Sequence, residues 1–191
     1  MWHNQNLNFD TLIPTAGNRA AVHACKEFAT SRESQFNLLL LYGPPAVGKT
    51  HLLHAMHDAV NKLQPKLQVF FITCETWIDE FLTAIRSEQI QEFREKYRRI
   101  DMLLIDDVQV LNGRPITQQE LADRIASLLL EGSRVALGHS GRLSAIPFLF
   151  PADAENPSSE KALVLEMSAP TTEEMIILRM KLATKYSNIS L

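Results

Sequence analysis

The chain has 191 residues, 46 % apolar and 21 % charged, a balance that supports a buried core and excludes a disordered chain. Its formal net charge of −3 excludes a globally basic nucleic-acid binder, so any contact with DNA has to be regional. The sequence lacks a run of about 18 apolar residues for a membrane span, and Met1 to Asn6 has neither region of a signal peptide, which predicts one domain over residues 1–191, cytoplasmic and without a membrane partner.

Phe9-Asp10-Thr11-Leu12-Ile13-Pro14 reads as a short extended approach, and Asn18 as the cap of a helix with Ala21, Ala24, Cys25 and Phe28 on its apolar side. Leu38 to Tyr42 is a continuous apolar run, the pattern of a strand buried on both faces of a parallel sheet. Gly43-Pro44-Pro45-Ala46-Val47-Gly48-Lys49-Thr50 follows and fits G-x-x-x-x-G-K-[ST]; beyond it Leu52, Leu53, Met56 and Val60 recur at helical spacing. Strand, glycine-bounded loop and helix are the context in which backbone N–H groups and a helix N-terminus converge on phosphates. Gly43 and Gly48 permit close backbone approach, Pro44 and Pro45 stiffen the loop, Lys49 reaches the outer phosphates, and Thr50 offers a hydroxyl to Mg²⁺. The expectation is a nucleoside-triphosphate site built from Gly43 to Thr50 and the adjoining His51.

Val69 to Thr73 reads as a second buried strand, and Trp77, Phe81, Leu82 and Ile85 as the stripe of the next helix. From Gln89 to Arg99, Ile90, Phe93 and Tyr97 share one helical face while Arg94, Lys96, Arg98 and Arg99 occupy the rest. This basic stretch is either a solvated face partnered by Glu92 and Glu95 or a contact with single-stranded DNA or another subunit; charge alone does not separate the two. Met102 to Asp107 is an apolar strand ending in two acids, the pattern of a Walker B strand, in which Asp106 holds Mg²⁺ and Asp107 orients or deprotonates the attacking water. Thr117-x-x-Glu120 reads as a capping box opening a helix with Leu121, Ile125, Leu128 and Leu129 inward, and Arg134 to Gly138 as a short strand. Pro147, Pro151 and Pro157 punctuate an irregular segment over residues 139–162. Leu163 to Met167 reads as a last strand, and Thr171-x-x-Glu174 as a capping box before a helix from Met175 to Tyr186. Strands alternating with helices predict an α/β fold with a parallel sheet whose ligands lie beyond the strands' carboxyl ends. Cys25 and Cys74 have no metal-ligand spacing and are expected as buried free thiols.

Gly48-Lys49-Thr50-His51-Leu52-Leu53-His54-Ala55, Phe93-Arg94-Glu95-Lys96-Tyr97-Arg98 and Leu103-Leu104-Ile105-Asp106-Asp107-Val108-Gln109, in that order, resemble the bacterial replication initiator DnaA family, with further likeness at Phe9-Asp10, Asn18-Arg19 and Thr117 to Glu120. The resemblance covers nearly the whole chain. It implies a three-layer P-loop NTPase of AAA+ type with a parallel five-stranded sheet, ATP or ADP with Mg²⁺ as cofactors, and a base pocket against Leu12, Ile13 and Pro14. It also implies an initiator-type helical insertion over about residues 75–99 that guides single-stranded DNA in an ATP-dependent filament, where Arg94, Lys96, Arg98 and Arg99 could neutralise phosphates.

Three features depart from that family. Where it shows Ser-Asp-Arg, this chain has His139-Ser140-Gly141-Arg142, which leaves His139 or Ser140 as candidate sensors of the terminal phosphate or the stretch as a polar loop. Asn156 to Lys161, where the family's arginine finger would fall, holds no arginine, and the missing finger removes a term worth about 10³ to 10⁵ in rate elsewhere. Residue 191 falls where the family's helical lid would begin, so the expectation for these residues is a lid absent or only begun, without its sensor arginine or the DNA-reading domain. The expectation is therefore an initiation or initiation-control protein, acting with DnaA or other replication proteins and self-assembling on ATP, with weak hydrolysis through Lys49 and Asp107 at most. A nucleotide-dependent adaptor without turnover and a helicase-loader or transposition-helper ATPase remain alternatives, because fold does not select among them.

Overall fold

The apolar runs form strands because each alternates its side chains between two helical layers, and the computed structural model describes residues 7–31, 35–142 and 162–187 of the result. In chain order the elements are α1 (Arg19–Thr30), β1 (Leu38–Gly43), α2 (Lys49–Leu63), β2 (Val69–Thr73), α3 (Cys74–Arg86), α4 (Ile90–Lys96), β3 (Met102–Asp106), a 3-10 turn (Val108–Leu111), α5 (Pro115–Leu130), β4 (Arg134–Ser140), β5 (Ala162–Glu166) and α6 (Thr172–Ser187). The sheet is parallel throughout, in the order β2-β3-β4-β1-β5. Register pairs Tyr42 with His139, Gly43 with Ser140, and Thr73 with Asp106, so the carboxyl ends of β1, β3 and β4 finish side by side.

Period-two alternation divides the core. Leu38, Leu40, Leu103, Ile105, Val135 and Leu137 point into the layer of α3, α4 and α5, where Trp77, Phe81, Phe93 and Tyr97 lie. Leu39, Leu41, Met102, Leu104 and Ala136 point the other way, onto Val22, Cys25, Phe28, Leu53, Met56 and Val60 of α1 and α2. A sheet covered on both faces accounts for the unbroken apolar runs of β1 and β3. Both cysteines are free and buried; Cys74, which opens α3, has its thiol pushed up to about 12 by burial and then by the charge of Asp107.

The helix signals were met unevenly. At α6 the capping box closes as expected: Glu174 N donates to Thr171 Oγ1 at 3.2 Å and Thr171 N to Glu174 Oε2 at 2.9 Å. The expected box at Thr117 and Glu120 does not form. Pro115 takes the first helical position of α5, its fixed φ being pre-set for a helix, so Thr117 is already inside the helix and buried. Asn18 occupies the N-cap position of α1 but caps nothing with its side chain; Oδ1 accepts from Thr15 N at 2.8 Å and Nδ2 donates to Ile13 O at 3.4 Å. In α3 the buried stripe is Trp77, Ile78, Phe81 and Ala84, while Ile85 is exposed, because this face packs on both the sheet and α4. Of the segment expected to be irregular over 139–162, His139 and Ser140 belong to β4 and Ala162 opens β5, while residues 143–161 lie outside the described residues.

Trp77 is wholly buried, stacked on Phe81 at 5.7 Å between ring centroids and edge-on to Phe93 at 5.5 Å. Removing its indole leaves a cavity between α3, α4 and β3, and Trp77→Ala is expected to lower unfolding free energy by about 3–5 kcal/mol, read from denaturant titration.

Candidate functional site

The glycine-bounded loop runs from the end of β1 to the first residue of α2. Positive φ values at Gly43 (146°), Ala46 (64°) and Gly48 (105°) are left-handed conformations of the kind that line up successive N–H groups into an anion-binding concavity. Gly43 is required twice over, since a Cβ there would also run into the Met167 carbonyl. Lys49 is buried, and its Nζ donates to Gly43 O at 3.0 Å and Pro44 O at 2.7 Å. Burial lowers its pKa, opposed by the charges of Asp106 and Asp107.

Asp106 ends β3 with only 2 % of its surface exposed. Burial raises its pKa, and hydrogen bonds from the Thr50 hydroxyl and the Asp107 N–H (3.0 Å to Oδ1) oppose that rise. The carboxylate leans over β4: a Cβ at Gly138 would collide with Asp106 Oδ1, so the strand has to be bare there. Sequence reasoning missed Gly138, although a lone glycine inside an apolar strand is the usual mark of such a close approach. Lys49, Thr50 and Asp106, named from separate motifs, are therefore brought together.

Asp107 leaves the strand with φ 61° and ψ 43°, a left-handed conformation that Asp tolerates better than most residues. Its Oδ1 accepts from Gln109 Nε2 at 2.7 Å, and Gln109 Oε1 accepts from Ser140 N at 2.8 Å. Gln109, to which the sequence assigned no role, thus joins the ends of β3 and β4. The two candidate sensors separate: Ser140 is half-buried at the strand end, whereas His139 is wholly enclosed with Nε2 3.0 Å from Arg142 O and Nδ1 without a hydrogen-bond partner among the described residues. Burial lowers the pKa of His139, and the charge of Lys49 lowers it further.

Leu12, Ile13, Val47, Gly48, His51 and Pro170 contribute to a cleft of about 340 Å³ beside the loop. His51 ties that cleft's wall to α2: its Nε2 lies 2.9 Å from Asn8 O and 3.2 Å from Thr11 Oγ1, and the Asn8 carbonyl requires the tautomer with Nε2–H. A larger cleft, about 900 Å³, lies at the amino ends of the strands around Asn37, Leu67, Asp101 and Arg134. It is remote from the converged motifs, and size alone does not make it the site.

The basic stretch carries its own counter-ions. Arg94 makes a two-pronged contact with Glu120 (3.0 and 2.7 Å), Lys96 binds Glu80 at 2.6 Å, and Arg98 binds Glu95 at 2.9 Å; Arg99 is exposed. The expected partner Glu92 makes none of these pairs. All four cations lie on or just after α4.

Among the described residues, no three His, Cys, Asp or Glu side chains converge on a metal-sized site. Thr50 and Asp106 offer one oxygen-bearing group each, which suits Mg²⁺, an ion that takes one or two protein groups and completes its sphere with phosphates and water. No helix among the described residues is long and apolar enough to cross a membrane.

The family described as bacterial DnaA ATPase domain matches residues 3–144. A chromosomal replication initiator protein DnaA from Thermoanaerobacter sp. (strain X514) is 32 % identical over 187 residues, which is 97 % of this chain and 42 % of that protein. The chain thus spans less than half the length of this curated relative. Domain III of the Thermotoga maritima replication initiation protein DnaA superposes with a TM-score of 0.85 at 30 % identity, covering 98 % of this chain and 77 % of the other. A replication initiator DnaA bound to AMPPCP and single-stranded DNA superposes with a TM-score of 0.80 at 27 % identity, covering 96 % and 56 %.

The desolvated carboxylate of Asp106 yields a stability prediction. Asp106→Asn keeps the shape and an acceptor for Asp107 N but removes a buried charge, so the melting temperature of the nucleotide-free chain at neutral pH is expected to rise by a few degrees in scanning calorimetry. An unchanged or lower melting temperature would show that the Thr50 and Asp107 hydrogen bonds outweigh desolvation.

Proposed function

The chain belongs to the bacterial DnaA ATPase-domain family, and on that premise we propose that it is a cytoplasmic nucleotide-binding protein of chromosomal replication initiation or its control. It binds ATP or ADP with Mg²⁺ and hydrolyses ATP weakly at most. The observation that carries this reading is the convergence of the Lys49 ammonium, the Thr50 hydroxyl and the Asp106 carboxylate at the adjoining ends of β1, β3 and β4. The AMPPCP bound by a similar initiator adds support for the nucleotide.

In this reading Lys49 exchanges its carbonyl partners for phosphate oxygens, and Leu12, Ile13 and the His51-anchored wall take the base. Bound Mg²⁺ would neutralise charge developing on the phosphates; Thr50 and Asp106 are the groups to hold it. Asp107 orients the attacking water. The partial exposure of Ser140 favours it over the enclosed His139 as the group that senses the terminal phosphate. DnaA, other replication proteins and further copies of the chain are the proposed partners. Single-stranded DNA is a proposed ligand of Arg94, Lys96, Arg98 and Arg99, supported by the DNA bound to a similar initiator. The Lys96–Glu80 and Arg98–Glu95 pairs are open to solvent and worth little, about 0–1 kcal/mol each, so phosphates could replace those carboxylates, while the two-pronged Arg94–Glu120 pair, whose glutamate side chain is 12 % exposed, is held more firmly.

Lys49→Ala is expected to weaken ATP binding about ten- to a hundredfold by calorimetry, the loss of charge-assisted hydrogen bonds, whereas Asp107→Asn should bind ATP as the parent does and stop hydrolysis. Failure of the parent to bind any nucleotide would overturn the reading, and hydrolysis surviving in Asp107→Asn would remove that residue's role. For DNA, the Arg94→Ala/Arg98→Ala pair should bind single strands more weakly, with a salt slope smaller by about 1.4 if two phosphate contacts are lost. Equal binding by variant and parent across several salt concentrations would make the basic helix a solvated face.

A further inference from the structure

We propose that Gln109 is the positioning residue of Asp107: its side-chain amide clasps the Asp107 carboxylate to the end of β4 and so sets the direction in which the free carboxylate oxygen meets water. The catalytic half of this proposal rests on the hydrolysis reading above; the clasp itself does not. A carboxylate only accepts hydrogen bonds and the Ser140 N–H only donates, so the orientation of the amide between them is forced: nitrogen toward Asp107 at 2.7 Å, oxygen toward Ser140 at 2.8 Å. The backbone that carries Gln109 is equally determined. It lies in the 3-10 turn Val108–Leu111, whose two end residues are wholly buried, and the turn is closed by Val110 N donating to Asp107 O at 3.1 Å.

The clasp matters because Asp107 is poorly held otherwise. It stands outside the strand, in a left-handed conformation, and among the described residues its carboxylate has one side-chain hydrogen bond, the one from Gln109. One bond to Gln109 engages Oδ1 and, among the described residues, leaves Oδ2 without a hydrogen bond. The same end of β4 is also tied to the phosphate loop: Gly141 N donates to Gly43 O at 3.2 Å, and that oxygen accepts from Lys49 Nζ. Residues 140 and 141 are thus a common anchor for the loop lysine and for the acid after β3. Glutamine is the side chain that meets the demands at both of its ends. Leucine or methionine fills the space but bonds to neither partner, asparagine is one carbon shorter, and glutamate keeps an acceptor for Ser140 while facing a second carboxylate.

That last difference separates positioning from mere structural support. In the full chain, Gln109→Glu retains the bond from Ser140 and loses the one to Asp107, whereas Gln109→Leu loses both. If Gln109 positions Asp107, both variants hydrolyse ATP about 10- to 100-fold more slowly in kcat, with ATP affinity within about twofold of the parent. If it only supports β4, Gln109→Glu works like the parent, and that result overturns the proposal. The clasp is read independently of turnover by NMR. The Gln109 side-chain amide protons should exchange slowly in the parent and fast in Asp107→Ala, and Ser140 N–H protection should survive in Gln109→Glu and vanish in Gln109→Leu. A Gln109 amide that exchanges like that of a free glutamine in the parent overturns the clasp. A parent that binds ATP but never hydrolyses it removes the hydrolysis reading instead, and the clasp then stands or falls on the NMR result alone.

Discussion

The site depends on keeping one carboxylate almost out of water. Asp106 sits at the end of an apolar strand, and a charge there is tolerable only with donors and an opposite charge nearby. Each neighbour meets part of that demand. The Thr50 hydroxyl comes from the first turn of α2, the Asp107 N–H is aimed by its left-handed backbone, and Lys49 contributes a positive field from the loop after β1. Gly138 meets it by omission, since a side chain at that position of β4 would displace the carboxylate. Parallel pairing of β1, β4 and β3 is what makes these groups adjacent, so the sheet order is as much a part of the site as the side chains.

The same logic extends to the edges of the site. Residues 140 and 141 receive a bond network from both nucleotide motifs, one arm through Gln109 and the other through the Gly43 carbonyl. The leading segment is stitched on as well. Asn18 holds Thr15 and Ile13, His51 holds the turn at Asn8, and Ser168 N donates to Gly17 O at 3.1 Å, where a Cβ on Gly17 would have collided with Ser168. Polar residues that sequence periodicity treats as caps or solvated positions are here the fasteners that shape a cleft beside the loop.

Charge on α4 illustrates why local composition underdetermines a surface. Four cations lie between Arg94 and Arg99, yet three are already engaged by Glu120, Glu80 and Glu95, two of which come from other helices. A field that looks strongly positive along the chain is therefore close to balanced in space, and any phosphate has to displace a carboxylate. Aromatic packing beneath that surface fixes the helix: Phe93 and Tyr97 point into the core, and the Tyr97 hydroxyl donates to the same Glu80 that binds Lys96.

Sequence by itself determined the α/β class, the buried character of the strands, the glycine-bounded loop that runs into a helix at Lys49 and Thr50, the acid that ends the third strand with the one that follows it, and the capping box of α6. All of these are written in contiguous residues, where period, capping chemistry and glycine placement act over a few positions. Only the tertiary structure decided that Thr117 is an interior helical residue, that Asn18 turns its side chain backwards, that Gly138 clears space for Asp106, and that Gln109 bridges Asp107 to Ser140. Each of these is set by a partner dozens of positions away or by competition with a neighbouring proline, and a linear pattern carries no record of which strand end will lie beside which. The motifs name the candidate side chains; the parallel order of the strands brings them together.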